Sequence, residues 1–291
     1  MATALEEEVR QHHLGVTFFY LAVTTLLGHL LRGVTRRYIP APYRSVLLDC
    51  ISTLQLCSCT WENGFTFRTH GFYALLFQIF CLVNLYKYFF YDSSPNPIAN
   101  LAKYFQGERP LAVVLVTMTL QMLAGQLSFY YAQCMWWLEL SPAYTIRRAD
   151  LAIPCVSDLT VTVFQGMLLE GGGCFIDRVF GLKQWTRRER GEQVLQALLG
   201  TLLTGAGLTL TGMYINPANA SSQGFGCAGS SLIGHILVYW IAPSIGCYLS
   251  VQIKKRYFHN EIVHFVHGSC ENTKEDRKSV YENGVSHKKS D

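Results

Sequence analysis

The most constraining feature of this chain is a polar break inside apolar sequence. Gly212-Met213-Tyr214-Ile215-Asn216-Pro217-Ala218-Asn219-Ala220 follows one long apolar run and precedes another. An Asn-Pro pair facing lipid would leave backbone groups unsatisfied. Non-helical backbone is tolerated at membrane depth only where protein buries it or where it lines a water-filled cavity. A weaker copy, Ser94-Pro95-Asn96-Pro97-Ile98-Ala99-Asn100, lies in the first half. Two such breaks in corresponding places of two halves point to a transport pathway.

The runs around the breaks set the class. Of 291 residues, 50% are hydrophobic and only 15% charged, against about 25% charged in soluble domains. At ~20 residues per span the length allows six or seven membrane helices. Apolar runs cover 14–31, 46–60, 71–90, 111–138, 155–176, 194–213 and 230–253, with short half-helix candidates at 98–105 and 217–226. Eight of the ten cysteines, Cys155 among them, fall within apolar stretches and read as small buried hydrophobes, not as a disulfide or metal framework. Glu6-Glu7-Glu8 has the wrong charge for the start of a cleavable signal peptide.

Basic residues cluster in four places: Arg32 to Arg44, Lys87 to Arg109, Arg178 to Arg190, and Lys254 to Arg256. Placing these on the cytosolic side satisfies the positive-inside rule, with Arg147-Arg148 as a small violation. It puts the two breaks on opposite faces and the C-terminus in the cytosol. The net charge of +4 is modest and its residues flank apolar runs, so they read as topology determinants and not as a nucleic-acid surface.

The halves repeat. Asp49-Cys-Ile-Ser-Thr-Leu-Gln opens the first and Asp158-Leu-Thr-Val-Thr-Val-Phe-Gln the second. Each then has an apolar helix ending in Asn-Pro, a half helix and a full helix, where Gln121 to Gly125 parallels Pro243 to Cys247. Three spans per repeat invert the second copy. The divisions are a tail and extra apolar helix (1–42), a first repeat (43–139), a lumenal connection (140–154), a second repeat (155–257) and a cytosolic tail whose polar, charged composition predicts disorder (258–291). Two half helices entering from opposite faces would meet N-terminus to N-terminus, with positive dipole ends at the membrane centre. Asn96 and Asn216 would cap them and turn their amides into the pore. Glu170 is expected at the cytosolic interface or against Gly171-Gly172-Gly173.

Residues 43 to 257 resemble the aquaporin family, through Asn216-Pro217-Ala218 and Trp240-Ile-Ala-Pro243-Ser-Ile-Gly246. The first motif departs, with Asn96-Pro97-Ile98. That departure, Thr53 to Thr60 and the extra N-terminal run look like the unorthodox intracellular branch, the superaquaporins. The resemblance implies an all-α membrane protein: an inverted repeat of six spanning helices and two re-entrant half helices, assembled as a homotetramer. It implies pore lining by Asn96, Pro97, Asn216, Pro217 and Ala218, and loop bracing by Asp49 and Asp158. The constriction falls near Leu76 and on Thr204, Met213 and Asn219, where Thr204 stands for the family's histidine and Asn219 for its arginine. The charged filter is thus missing, which widens the expected solutes from water to glycerol or hydrogen peroxide.

The expected function is passive conduction in a lipid bilayer with no chemical step, no cofactor and no metal. One alternative is a non-conducting membrane scaffold that kept the fold. Another is an intramembrane enzyme using Asp49, Asp158 or Glu170, for which no second motif completes a site. Lys288 and Lys289, fourth and third from the end, read as a dilysine signal for retrieval to the endoplasmic reticulum by cytosolic coat proteins.

Overall fold

The structure, a computed structural model, describes residues 4–256, with side chains from His12 onward. The proposed tail signal at Lys288 and Lys289 lies outside the described residues. The helices are α1 (Ala4–Tyr38), α2 (Ala41–His70), α3 (Phe72–Phe89), α4 (Pro97–Phe105), α5 (Leu111–Trp136), α6 (Pro142–Ala149), α7 (Val163–Phe180), α8 (Glu189–Thr211), α9 (Pro217–Gly224) and α10 (Leu232–Arg256). Among the described residues the only β contact is one isolated bridge, Val156 to Ala228.

This is an all-α membrane protein. Five stretches are long and apolar enough to cross a bilayer: His12–Tyr38, Phe72–Phe89, Leu111–Trp136, Glu189–Thr211 and Leu232–Arg256. The other two long helices carry more charge. α2 holds Asp49 and Glu62, 2% and 0% exposed, and α7 holds Glu170, 0% exposed. These polar groups face inward and bond within the protein, Asp49 and Glu170 to loops and Glu62 to neighbouring helices. The spans α2, α3, α5, α7, α8 and α10, with half helices α4 and α9, make the aquaporin-like inverted repeat, and α1 is added to it.

α1 is built into the protein. Thr17 Oγ1 and the Tyr144 hydroxyl donate to the two oxygens of Glu62 at 2.6 and 2.8 Å. Tyr20 donates to the Ser58 carbonyl at 2.9 Å, within a cluster of Val16, Tyr20, Phe65, Met135, Trp136 and Tyr144. Near its other end Arg36 binds Asp92 through two bonds of 2.7 and 2.9 Å, and this pairing holds the Asp92 carboxyl below its usual range. The added helix therefore reaches the loop that leads to Asn96.

Three expectations are corrected here. The 155–176 run is helical only from Val163 onward. Its first part is extended, with Ser157 N–H on the Ala228 carbonyl at 2.8 Å and Ala228 N–H on the Cys155 carbonyl at 2.9 Å. Alternating Val, Leu and Thr suit an extended segment as well as a helix. Cys155 is not a buried thiol: it forms a disulfide with Cys227. The 142–154 stretch, read as a loop, contains α6 with Ser141 as its cap.

α10 contains a π turn at Leu237–Ile241. Pro243 has no N–H for the Tyr239 carbonyl and its ring pushes that carbonyl away. The wider turn absorbs the misfit, with Ala242 N–H on the Leu237 carbonyl.

Candidate functional site: two half helices meeting at an asparagine pair

Each asparagine caps its half helix. Asn96 Oδ1 accepts from Ile98 N–H at 2.9 Å. Asn216 Oδ1 accepts from Ala218 and Asn219 N–H at 3.2 and 3.3 Å. Asn at the cap followed by Pro at the first helical position is the favoured order, because that N–H has no helical partner anyway. The side-chain amides then cross. Asn96 Nδ2 donates to the Ile215 carbonyl at 2.9 Å, and Asn216 Nδ2 to the Pro95 carbonyl at 3.0 Å. Each amide thus holds the residue just before the opposite asparagine, a two-fold arrangement. An amide NH2 has two donors, so one on each side remains for another acceptor.

Both loops are braced from a spanning helix. Asp49 on α2 accepts from Ser94 N–H at 2.7 Å and Asn100 Nδ2 at 3.1 Å. Gln121 on α5 adds a bond to the Ser94 carbonyl at 2.8 Å. In the second loop this part is played by Glu170, which accepts from Tyr214 and Ile215 N–H at 3.0 and 2.7 Å and from Thr211 Oγ1 at 2.8 Å. Asp158, expected there, reaches the loop only through the Tyr214 hydroxyl. The extended start of the 155–176 run carries Asp158 away from the loop's backbone. Spacing along the chain could have found Glu170. Asn96 lies 47 residues after Asp49 (96 minus 49), and Asn216 lies 46 after Glu170 but 58 after Asp158.

The second loop needs its brace. Met213 and Ile215 have φ of 45° and 50°, next to Gly212 at 77°. A β-branched residue with positive φ is an outlier, costing about 1–3 kcal/mol. The Glu170 bonds offset part of this. Met213 fits because Gly173 and Gly207 lie against its side chain, where a Cβ would come within 2.2 and 2.7 Å of it.

A cavity of about 1390 Å³ runs along the pair. Its wall includes Asn96, Asn216, Thr204, Met213 and Asn219. Leu76 is not on it: that wall carries Leu75 and Ile79, while Leu76 turns to Gly205 on α8. Pro97, Pro217 and Ala218 also stand outside it, buried beneath the asparagines. Ala218 presents its carbonyl to Gly125, where a Cβ would sit 2.8 Å from the oxygen. Cys247, the counterpart of Gly125, has its thiol 3.7 Å from the Ile98 carbonyl. Asn219 Oδ1 is buried and has no hydrogen-bond partner. The cavity wall thus offers a neutral acceptor at Asn219. A second cavity, of about 490 Å³, shares Val83, Asp177 and Gly200 with the first.

No protein-family model matches the chain. It is 28% identical over 252 residues to aquaporin-12 of Mus musculus, covering 82% of this chain and 85% of that one. The chain is an aquaporin homologue. Aquaporin-11 of Homo sapiens is also 28% identical, over 79% of this chain and 85% of its own. Aquaporin-11 of Milnesium tardigradum is 24% identical, over 73% and 76%. In this aquaporin homologue the matched length is enough to include both half helices.

The Cys155–Cys227 disulfide ties the exit of α9 to the segment before α7 and closes a separation of 72 residues. A crosslink of that span contributes about 4 kcal/mol. Cys155→Ser and Cys227→Ser should each lower the melting temperature of the purified protein by several degrees. Reductant should lower the wild-type protein equally and leave both variants unmoved. Equal melting of all forms would contradict a stabilising crosslink.

Proposed function

We propose that the chain is a passive membrane channel for water and small neutral solutes. The observation that carries this reading is the reciprocal asparagine pair on the wall of a cavity. Opposed half-helix N-termini place positive dipole ends there. They favour a solute oxygen and repel cations and protons. The spare amide donors of Asn96 and Asn216 and the free Asn219 Oδ1 offer both donors and an acceptor, which suits hydroxylic solutes. Asp49 and Glu170 hold the loops and have no role in a chemical step. Without an arginine or histidine, the constriction of Leu75, Thr204, Met213 and Asn219 admits glycerol and hydrogen peroxide as well as water. Uptake of glycerol and peroxide into proteoliposomes tests this. Rates above empty vesicles for both are expected, and water permeation alone would restore a narrow filter.

The disulfide fits an oxidising compartment on the face of the second loop. The basic ends of α1, α3 and α10 then lie in the cytosol. The proposal therefore includes a multi-pass protein of the endoplasmic reticulum, assembled as a homotetramer, with retrieval by coat proteins through Lys288 and Lys289. Replacing both lysines by Ser should move the protein to the cell surface, as read by surface biotinylation. Unchanged distribution would remove the retrieval signal from the account.

A further inference from the structure

We propose that the cytosolic mouth of the pore is a binding site for a phosphate-bearing anion, held between Lys87, Arg178 and Lys254. The orientation rests on the channel reading above; the binding does not. These three cations come from α3, α7 and α10 and line the smaller cavity, whose volume is about 490 Å³. Such a volume is about 10 Å across, the order of one Debye length at physiological ionic strength. The charges therefore act on an occupant together. Asp177 is the one carboxylate on the wall among the described residues, so three cations less one carboxylate leave two positive charges.

The cations are positioned but not neutralised. Lys87 Nζ donates to Gln196 Oε1 at 3.0 Å, and Lys254 Nζ to Gln106 Oε1 at 2.6 Å. Both partners are neutral amides. Arg178 Nε is buried and has no hydrogen-bond partner. None of the three cations has a carboxylate oxygen within 4.0 Å among the described residues. The positive-inside rule accounts for basic residues on this face. It does not account for their convergence on one cavity, nor for glutamines that fix two of them. A phosphate monoester carries about −1.5 to −2 charges and three acceptor oxygens, which matches the surplus charge. Guanidinium and ammonium groups are the usual donors to it. Because Val83, Asp177 and Gly200 border both cavities, an occupant stands in the conduction path and would slow flux.

The test uses the full-length protein in phosphatidylcholine nanodiscs. One arm titrates glycerol 3-phosphate by calorimetry. The other compares thermal stability with and without phosphatidylinositol 4-phosphate in the disc. Saturable binding in the first arm assigns a free phosphate ester, and stabilisation in the second assigns a lipid headgroup. In the responding arm, joint Lys87→Gln and Lys254→Gln substitution should weaken the effect about tenfold or more. Arg178→Lys, which keeps the charge and loses the fork, should weaken it less. No response of the wild-type protein in either arm overturns the proposal, as does a response that the charge-removing variant leaves unchanged. Neither arm reads permeability, so a protein that binds without conducting would refute the channel and leave this site standing.

Discussion

Glu170→Ala should collapse the loop that carries Asn216 and abolish conduction, while Asp158→Ala should leave most of it. Glu170 accepts three hydrogen bonds, from Thr211 Oγ1 and from Tyr214 and Ile215 N–H. Alanine removes all three and leaves two loop amides without acceptors at membrane depth. At about 1–3 kcal/mol for each unsatisfied group, the loss is on the order of 3–5 kcal/mol. It falls on a segment already strained at Met213 and Ile215. Glu170→Gln should be intermediate. It keeps one carbonyl acceptor but sets an amide donor against an N–H. Asp158 contributes one contact, to the Tyr214 hydroxyl, worth about 1 kcal/mol. Melting temperature and vesicle permeability, measured on all three variants, check the order. Equal effects of Asp158→Ala and Glu170→Ala would contradict the bracing account.

Asn216→Asp should carry the second large effect, with the fold retained. The new side chain is isosteric, and its Oδ1 can still cap α9, where negative charge is favoured. The other oxygen then faces the Pro95 carbonyl, at the place where Nδ2 donated across 3.0 Å. A donor–acceptor contact becomes a repulsion between two acceptors, and a negative charge enters the pore. A penalty near 2 kcal/mol in the path corresponds to roughly a tenfold or greater fall in water permeability. Cation leak should appear with it, read as vesicle depolarisation. Normal water flux with no leak would remove Asn216 from the pore.

The parts of this fold that the sequence makes legible are those with local signals. Long apolar runs, and Asn-Pro pairs that are at once a cap and a first helical residue, place α3, α4, α5, α8, α9 and α10 within a few residues. Asp49 was legible too, as a carboxylate inside an apolar run. What local pattern could not settle depends on contacts distant in sequence. The bond that seats α1 on Glu62 joins residues 45 apart, and the second partner of Glu62, Tyr144, lies 82 residues away; no periodicity points to either. Cys155 sits in a run that reads as helix, and its partner lies beyond α9, so pairing requires the fold. Asp158 reads as the brace in sequence because it opens a run that resembles the first repeat. The structure shows that the second repeat begins with extended chain, which shifts the brace by 12 residues (170 minus 158). Three glycines of the sequence also find their reason only in packing: Gly125 admits the Ala218 carbonyl, and Gly173 and Gly207 admit Met213.

The central claim is that two half helices, joined by the reciprocal bonds of Asn96 and Asn216, form a water-conducting path. The most direct test is the stopped-flow osmotic response of proteoliposomes containing the purified protein. The account predicts water permeability severalfold above empty vesicles, with the low activation energy of a pore. A rate equal to that of empty vesicles, from protein shown to be folded and inserted, would contradict it and leave a scaffold.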